Sequence, residues 1–230
     1  MGKYKLLKGD CLKLMKKLPD NSIDLVVTDP PYDIHAGKGG GAFGNRSSFK
    51  EIEFMSNGFS EEILDELVRV MKKINIYVFC SQKQLPLLIN YFIKERGCNW
   101  NLLTWHKTNP VPACKNKYLS DTEYVFFARE KGVPVYGEYK TKKTYYVTPL
   151  NTKEKKLYNH PTVKPQEILQ NLIVNSSNEN DIVLDPFVGS GSTGVAALNN
   201  NRRFIGFELN DDYIETAKER IENIKEPVVL

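Results

Sequence analysis

The sequence predicts an α/β fold. Short apolar runs alternate with amphipathic stretches along most of the chain, the pattern of strands covered by helices. The runs IYVFC and IVLD are short, apolar and rich in β-formers, as strands buried on both faces should be. Two turn-rich loops, DPPY and DPFVGSGSTG, each follow such a run directly. They would lie at the carboxyl ends of strands, where open α/β sheets hold their ligands.

In chain order, strands are expected at Tyr4–Leu7, Leu25–Thr28, Ile76–Cys80, Leu102–Trp105, Tyr124–Ala128, Ile182–Asp185 and Phe204–Glu208. Helices are expected at Cys11–Leu18, Ser60–Lys73, Gln82–Glu95, Pro165–Asn175, Gly191–Asn199 and Asp211–Ile224. In the second of these Ser60 can cap, while Ile63, Leu64, Leu67, Val68 and Met71 make one apolar face. Two stretches read as irregular: the glycine-rich 33–58, and the basic stretch from about Val133 to Asn159.

Composition narrows the classes. The 230 residues are 41% hydrophobic and 26% charged, enough for a packed core under a charged surface. No run approaches the ~18 consecutive apolar residues of a membrane span, and the first residues do not read as a secretion signal. Cys11, Cys80, Cys98 and Cys114 form no CxxC pair, which reads as reduced, structural thiols and a cytoplasmic location. His35, His106 and His160 are scattered, so no metal site is expected. The net charge of +4 is compatible with a polyanionic partner.

The first loop, Asp29–Tyr32, has its own chemistry. Pro30 and Pro31 stiffen the turn, and Pro31 has no N–H, so the Pro30 carbonyl can face outward as a fixed acceptor. Asp29 adds a carboxylate acceptor and Tyr32 an aromatic face. Two acceptors beside a ring suit a planar base bearing an amino group; a rigid strand-end turn with a solvated Asp is the plainer alternative. In the second loop, Gly189, Gly191 and Gly194 match GxGxxG, which permits a tight turn and close approach to a ligand. Glu208 follows Asp185 by 23 residues at the end of the next strand, where an acid commonly takes ribose hydroxyls. GxGxxG also marks NAD and FAD sites, but no hydride-transfer residues accompany it here. A P-loop is unfavoured, because no Lys precedes Ser192 or Thr193.

Together these residues resemble the β group of DNA amino-methyltransferases, the adenine-N6 and cytosine-N4 family. DPPY matches its catalytic tetrad, Asp29, Pro30, Pro31 and Tyr32. FVGSG contains Phe187, Gly189 and Gly191 of its cofactor loop. GDCL, FELN, HPTVKP and TWHKTNPVP resemble further family segments. The resemblance implies a circularly rearranged, Rossmann-like S-adenosylmethionine-dependent methyltransferase fold. Its sheet would be mostly parallel, with Tyr124–Ala128 as the single antiparallel strand. It implies one catalytic domain over residues 1–230 with a short DNA-recognition insertion at about 115–159. Cofactor contacts are expected from Asp10, Cys11, Asp29, His160, Thr162, Lys164, Asp185, Phe187, Gly189, Gly191, Ser192, Glu208 and Leu209, with no metal.

The implied activity is site-specific methylation of adenine N6 in double-stranded DNA, on a flipped-out base. That branch begins its tetrad with Asp, whereas cytosine-N4 enzymes usually begin with Ser. Cytosine-N4 methylation and a non-catalytic regulator that binds S-adenosylmethionine or nucleic acid are the alternatives. A homodimer and a cognate restriction enzyme are the further partners considered. Within the insertion, Lys140, Lys142 and Lys143, interleaved with Tyr139, Tyr145, Tyr146 and Tyr158, are the expected DNA contacts.

Overall fold

A computed structural model describes residues 2–30, 60–112, 115–116, 118–158 and 163–224. Eight strands form one sheet in the order β1-β8-β7-β2-β3-β5-β4-β6. They are β1 (Tyr4–Lys8), β2 (Leu25–Thr28), β3 (Asn75–Cys80), β4 (Asn99–Lys107), β5 (Thr122–Arg129), β6 (Tyr145–Thr148), β7 (Ile182–Asp185) and β8 (Arg203–Glu208). All pairings are parallel except those of β5, which runs against both β3 and β4. The first strand pairs with the last, Tyr4 beside Phe204. The N-terminus therefore completes an edge that the C-terminal part of the chain builds, as the rearranged fold requires.

Alternation along β3 shows how the layers form. Ile76, Val78 and Cys80 enter one core with Cys11 and Met15 from helix α1 (Cys11–Met15), Leu64 and Leu67 from α2 (Glu61–Val70) and Phe92 from α3 (Leu85–Lys94). Tyr77 and Phe79 enter the other, with residues of α5 (Gln166–Ser176), α6 (Ser192–Asn199) and α7 (Asp211–Glu222). A strand buried on both faces must be apolar throughout, and β3 and β7 are buried at every position.

Two expectations need correction. The helix expected at Gln82–Glu95 is α3, with α-helical geometry only at Leu85–Leu88 and a wider π-helix at Ile89–Lys94. The amide of Glu95 reaches back five residues to the Asn90 carbonyl at 3.1 Å, a widened turn that side-chain periodicity does not reveal. The basic stretch from Val133 is not irregular throughout: it forms β6 and helix α4 (Thr152–Leu157). Edge strand β6 buries only Tyr146 of its four residues, so a core pattern is nearly absent from its sequence. Pairing with β4 supplies the order instead. The interval 115–159, expected to hold a short DNA-recognition insertion, contains the interior strand β5 and the edge strand β6.

Candidate active site

Strand β2 lies directly between β7 and β3, so the two chemistry-bearing loops leave neighbouring strands at one edge. The hydroxyl of Thr28, the last residue of β2, donates to Oδ1 of Asp185 at 3.0 Å and ties the loops together. Asp29 follows, half-buried, and then Pro30, buried. Pro31 and Tyr32 lie outside the described residues.

Lys164, whose side chain is 6% exposed, places its ammonium 2.7 Å from Asp29 Oδ2 and 3.1 Å from Glu123 Oε2. The structure thus sets Lys164 against the tetrad carboxylate. His160 and Thr162 of the same segment lie outside the described residues.

The glycine loop is built around Glu208. Its Oε2 accepts from the Gly189 amide at 2.8 Å, and Oε1 accepts from the amides of Leu209 and Asn210, both at 2.9 Å. Burial pushes this carboxyl up, against the three amides that favour its ionised form. Gly189 and Gly191 have φ of 51° and 81°, the left-handed region that glycine enters without strain. A Cβ on Gly191 would also sit 2.9 Å from the Cα of Ala217 in α7. The backbone there is as close to its neighbouring helix as glycine allows.

Beside Glu208, the Gly9 amide donates to the Glu208 carbonyl at 2.9 Å. Asp10 caps α1 by accepting from the Lys13 amide at 2.9 Å. Leu209 is exposed next to the carboxylate. A carboxylate held by backbone amides, a second one across β1 and an exposed apolar face suit a nucleoside with ribose hydroxyls to donate. This set of donors and acceptors, Glu208, Asp10, Leu209, Gly189 and Asp185 at one sheet edge, fits S-adenosylmethionine.

Other expected contacts take structural roles. Phe187 is partly buried against the core, with its amide 3.1 Å from Asp185 Oδ1. The Ser192 hydroxyl is occupied by Arg220, which donates to it at 3.0 Å and to the Ser190 carbonyl at 2.8 Å. Arg220 also pairs with Glu154 and lies over the Tyr158 ring at 4.0 Å. This arginine was not anticipated; its one signal is a charge at an apolar position of α7, beside Ala217 and Ile221. Glu123 and Lys107 were likewise missed. Burial pushes the Cys11 and Cys80 thiols up to about 12, so neither offers a thiolate near neutral pH. Among the described residues no cluster suits a metal ion.

The lysine-tyrosine stretch is divided by the fold. Tyr146 is core and Tyr158 lies under Arg220. Lys140, Lys142 and Lys143 are exposed, but the intervening Thr141 hydrogen-bonds Asn175 at 2.6 Å. Asn175 is at the far end of α5 from Gln166, whose side chain reaches the Ser192 carbonyl at 3.0 Å. Eleven helical residues separate those ends by ~16 Å. The structure does not bring these lysines to the catalytic edge. The loop between β4 and β5 does emerge there, with Lys115 exposed and Tyr118 98% exposed.

Burial pushes the Asp185 carboxyl up to about 7, despite hydrogen bonds from Thr193, Phe187 and Thr28 that favour its ionised form. A native carboxyl more basic than the unfolded value of about 3.9 binds protons that the unfolded chain has released. Its contribution to stability therefore declines as pH rises from about 4 to about 7 and is level above that. Urea unfolding at several pH values should show Asp185→Asn gaining stability relative to the parent across this window. A parallel pH dependence of the two proteins would rule out the buried, protonated form.

Comparison with known proteins agrees with this geometry. A family profile described as DNA methylase matches residues 23–219. The Type II methyltransferase M.HpaI of Haemophilus parainfluenzae is 32% identical, over 95% of this chain and 74% of its own length. M2.DpnII of Streptococcus pneumoniae is 31% identical, over 94% of this chain and 89% of its own. The crystal structure of an M1.HpyAVI-SAM complex superposes with a TM-score of 0.68 at 26% identity, covering 94% of this chain and 99% of that one. The cytosine-N4-specific PvuII DNA methyltransferase shares the fold, with a TM-score of 0.73 at 19% identity over 99% of this chain and 90% of its own. On these matches the chain belongs to the DNA methylase family and is an S-adenosylmethionine-dependent DNA methyltransferase.

Proposed function

We propose that the enzyme methylates the N6 amino group of adenine in double-stranded DNA. The observation that carries this reading is the placement of Asp29: it directly follows β2 beside the glycine loop, and Lys164 holds one of its carboxylate oxygens at 2.7 Å. An aromatic amine is a weak nucleophile because its lone pair is delocalised into the ring. The bound cofactor supplies a methyl group already activated by its sulfonium. The protein's task is therefore to align the amine and draw its electrons out of the ring. The Asp29 carboxylate and the Pro30 carbonyl accept hydrogen bonds from the two amino N–H groups, which localises the lone pair and stabilises the positive charge that develops, and one of those protons passes to solvent once the methyl group is in place. Alignment at the shared edge lowers the barrier further. The amino group is inaccessible to such contacts inside a duplex, so the base leaves the stack and rests on Tyr32.

An aspartate at the head of the tetrad favours adenine over cytosine. Cytosine N4 is the second reading, supported by the fold shared with the cytosine-N4-specific PvuII enzyme. The Type II names of the relatives support a cognate restriction enzyme as partner. The buried thiols and the absence, among the described residues, of a helix able to cross a membrane fit work in the cytoplasm. A homodimer is compatible with this role.

Labelled methyl transfer to unmethylated duplex DNA, followed by digestion to nucleosides, identifies the product. N6-methyl-2′-deoxyadenosine is expected, and label in N4-methyl-2′-deoxycytidine would reverse the assignment. Asp29→Ala should lower turnover at least ~100-fold while cofactor affinity stays within about threefold, because a transition-state acceptor acts on rate more than on ground-state binding. Near-normal turnover would remove Asp29 from the chemistry.

Among the described residues, the exposed Lys115 and Tyr118 of the β4–β5 loop support a duplex contact at this edge. Lys115 can neutralise a phosphate and the exposed Tyr118 can stack or hydrogen-bond. Lys115→Ala should weaken binding to all sequences and lower the log–log salt slope by roughly 0.9. An unchanged slope would place the footprint elsewhere.

A further inference from the structure

The contacts of Lys164 extend past Asp29. Glu123, near the start of β5, accepts from Lys164 through Oε2 at 3.1 Å and from Lys107, at the end of β4, through Oε1 at 2.7 Å. The four side chains form a row of alternating charge, Asp29, Lys164, Glu123 and Lys107. Both ammonium groups lie over aromatic rings, Lys164 5.1 Å from the centre of Phe79 and Lys107 5.5 Å from that of Trp105. Each side chain from Lys164 to Lys107 is at most 16% exposed. The row joins the ends of three strands and the segment before α5, and one terminus is the tetrad carboxylate.

A buried ion network can simply hold a fold together, and apolar side chains often do that as well. A charged row ending on the reacting edge has a further consequence. If Lys164 faced Asp29 alone, the carboxylate would share its charge with a single dedicated cation and be a poorer acceptor. Glu123 competes for the same ammonium. Both lysines hold its carboxyl down to about 2, although burial acts to raise it, so it is an anion throughout the working range. Lys107 offsets part of that negative charge.

We propose that Glu123 and Lys107 are positioning residues for methyl transfer, which act through Lys164 to set the orientation and acceptor strength of Asp29. The proposal rests on the reading of Asp29 as the amine's acceptor. Asp29 also acts on the Asp185 carboxyl and the Cys80 thiol, and both groups stay in place in the variants below.

The test is the pH profile of single-turnover methyl transfer at saturating cofactor and DNA, for Glu123→Gln and Lys107→Met. Removing an anion from the row favours the ionised form of Asp29, so Glu123→Gln should move the acid limb to lower pH. Its plateau should fall at least ~10-fold, because Lys164 then weakens the acceptor. Removing a cation does the opposite, so Lys107→Met should move the limb to higher pH, with a smaller loss of plateau rate. Calorimetry should find cofactor affinity unchanged in both. A merely structural role predicts lower melting temperatures with limbs that do not move. Unmoved limbs, or limbs that move in the same direction, overturn the proposal. Should Glu123→Gln fail to fold, the direction of the Lys107→Met limb decides. An active Asp29→Ala would end the underlying reading, whereas unmoved limbs beside an inactive Asp29→Ala would end only the role of the row.

Discussion

The parallel pairing of β2 with β7 is the constraint on which the active site depends. Val26 lies beside Leu184, so both strands end at the same edge and deliver Asp29 and Asp185 to one place. Nothing in the chain order would do this, since 156 residues separate the two aspartates in sequence. The hydrogen bond from Thr28 to Asp185 closes the remaining distance. The outer elements serve this arrangement. Helices α5 and α6 cover one face and carry Lys164 and the glycine loop to the edge, while β5 turns back to present Glu123.

The two aspartates are managed in opposite ways. Asp185 is deeply buried among neutral donors, and burial keeps its proton to about pH 7. Asp29 is met by the ammonium of Lys164, which favours its charge. An enzyme that must draw protons from an amine needs the second carboxylate ionised. The first can bind as a neutral donor or acceptor inside the core. The same residue type therefore fills two roles through its surroundings alone.

Much of this was legible in the sequence. Short apolar runs placed seven of the eight strands within a few residues, because buried strands leave little choice of side chain. DPPY and the glycine loop were visible because their constraints are local: a stiff turn at Pro30, and positive φ at Gly189 and Gly191. Long-range electrostatics were not. Glu123 looks like an ordinary strand residue, and Arg220 like a stray charge on the apolar side of a helix, until the fold brings each to partners 41 and 30 residues away in sequence, Lys164 and Ser190. Lys164 was legible as a site residue, but only the fold shows that it meets the tetrad. The charge run at 139–158 misled for the complementary reason. Composition marks a basic surface, yet only the fold shows that Thr141 ties its lysines to the far end of α5.

The account turns on Lys164 serving the carboxylate of Asp29, and Lys164→Met tests it most directly. Calorimetric cofactor titration is paired with the single-turnover rate at saturating cofactor and DNA. The account predicts a rate at least ~10-fold lower with cofactor affinity within about threefold of the parent, the signature of an interaction realised in the transition state. A large loss of cofactor affinity with an unchanged saturated rate would contradict it and make Lys164 a ligand of the cofactor.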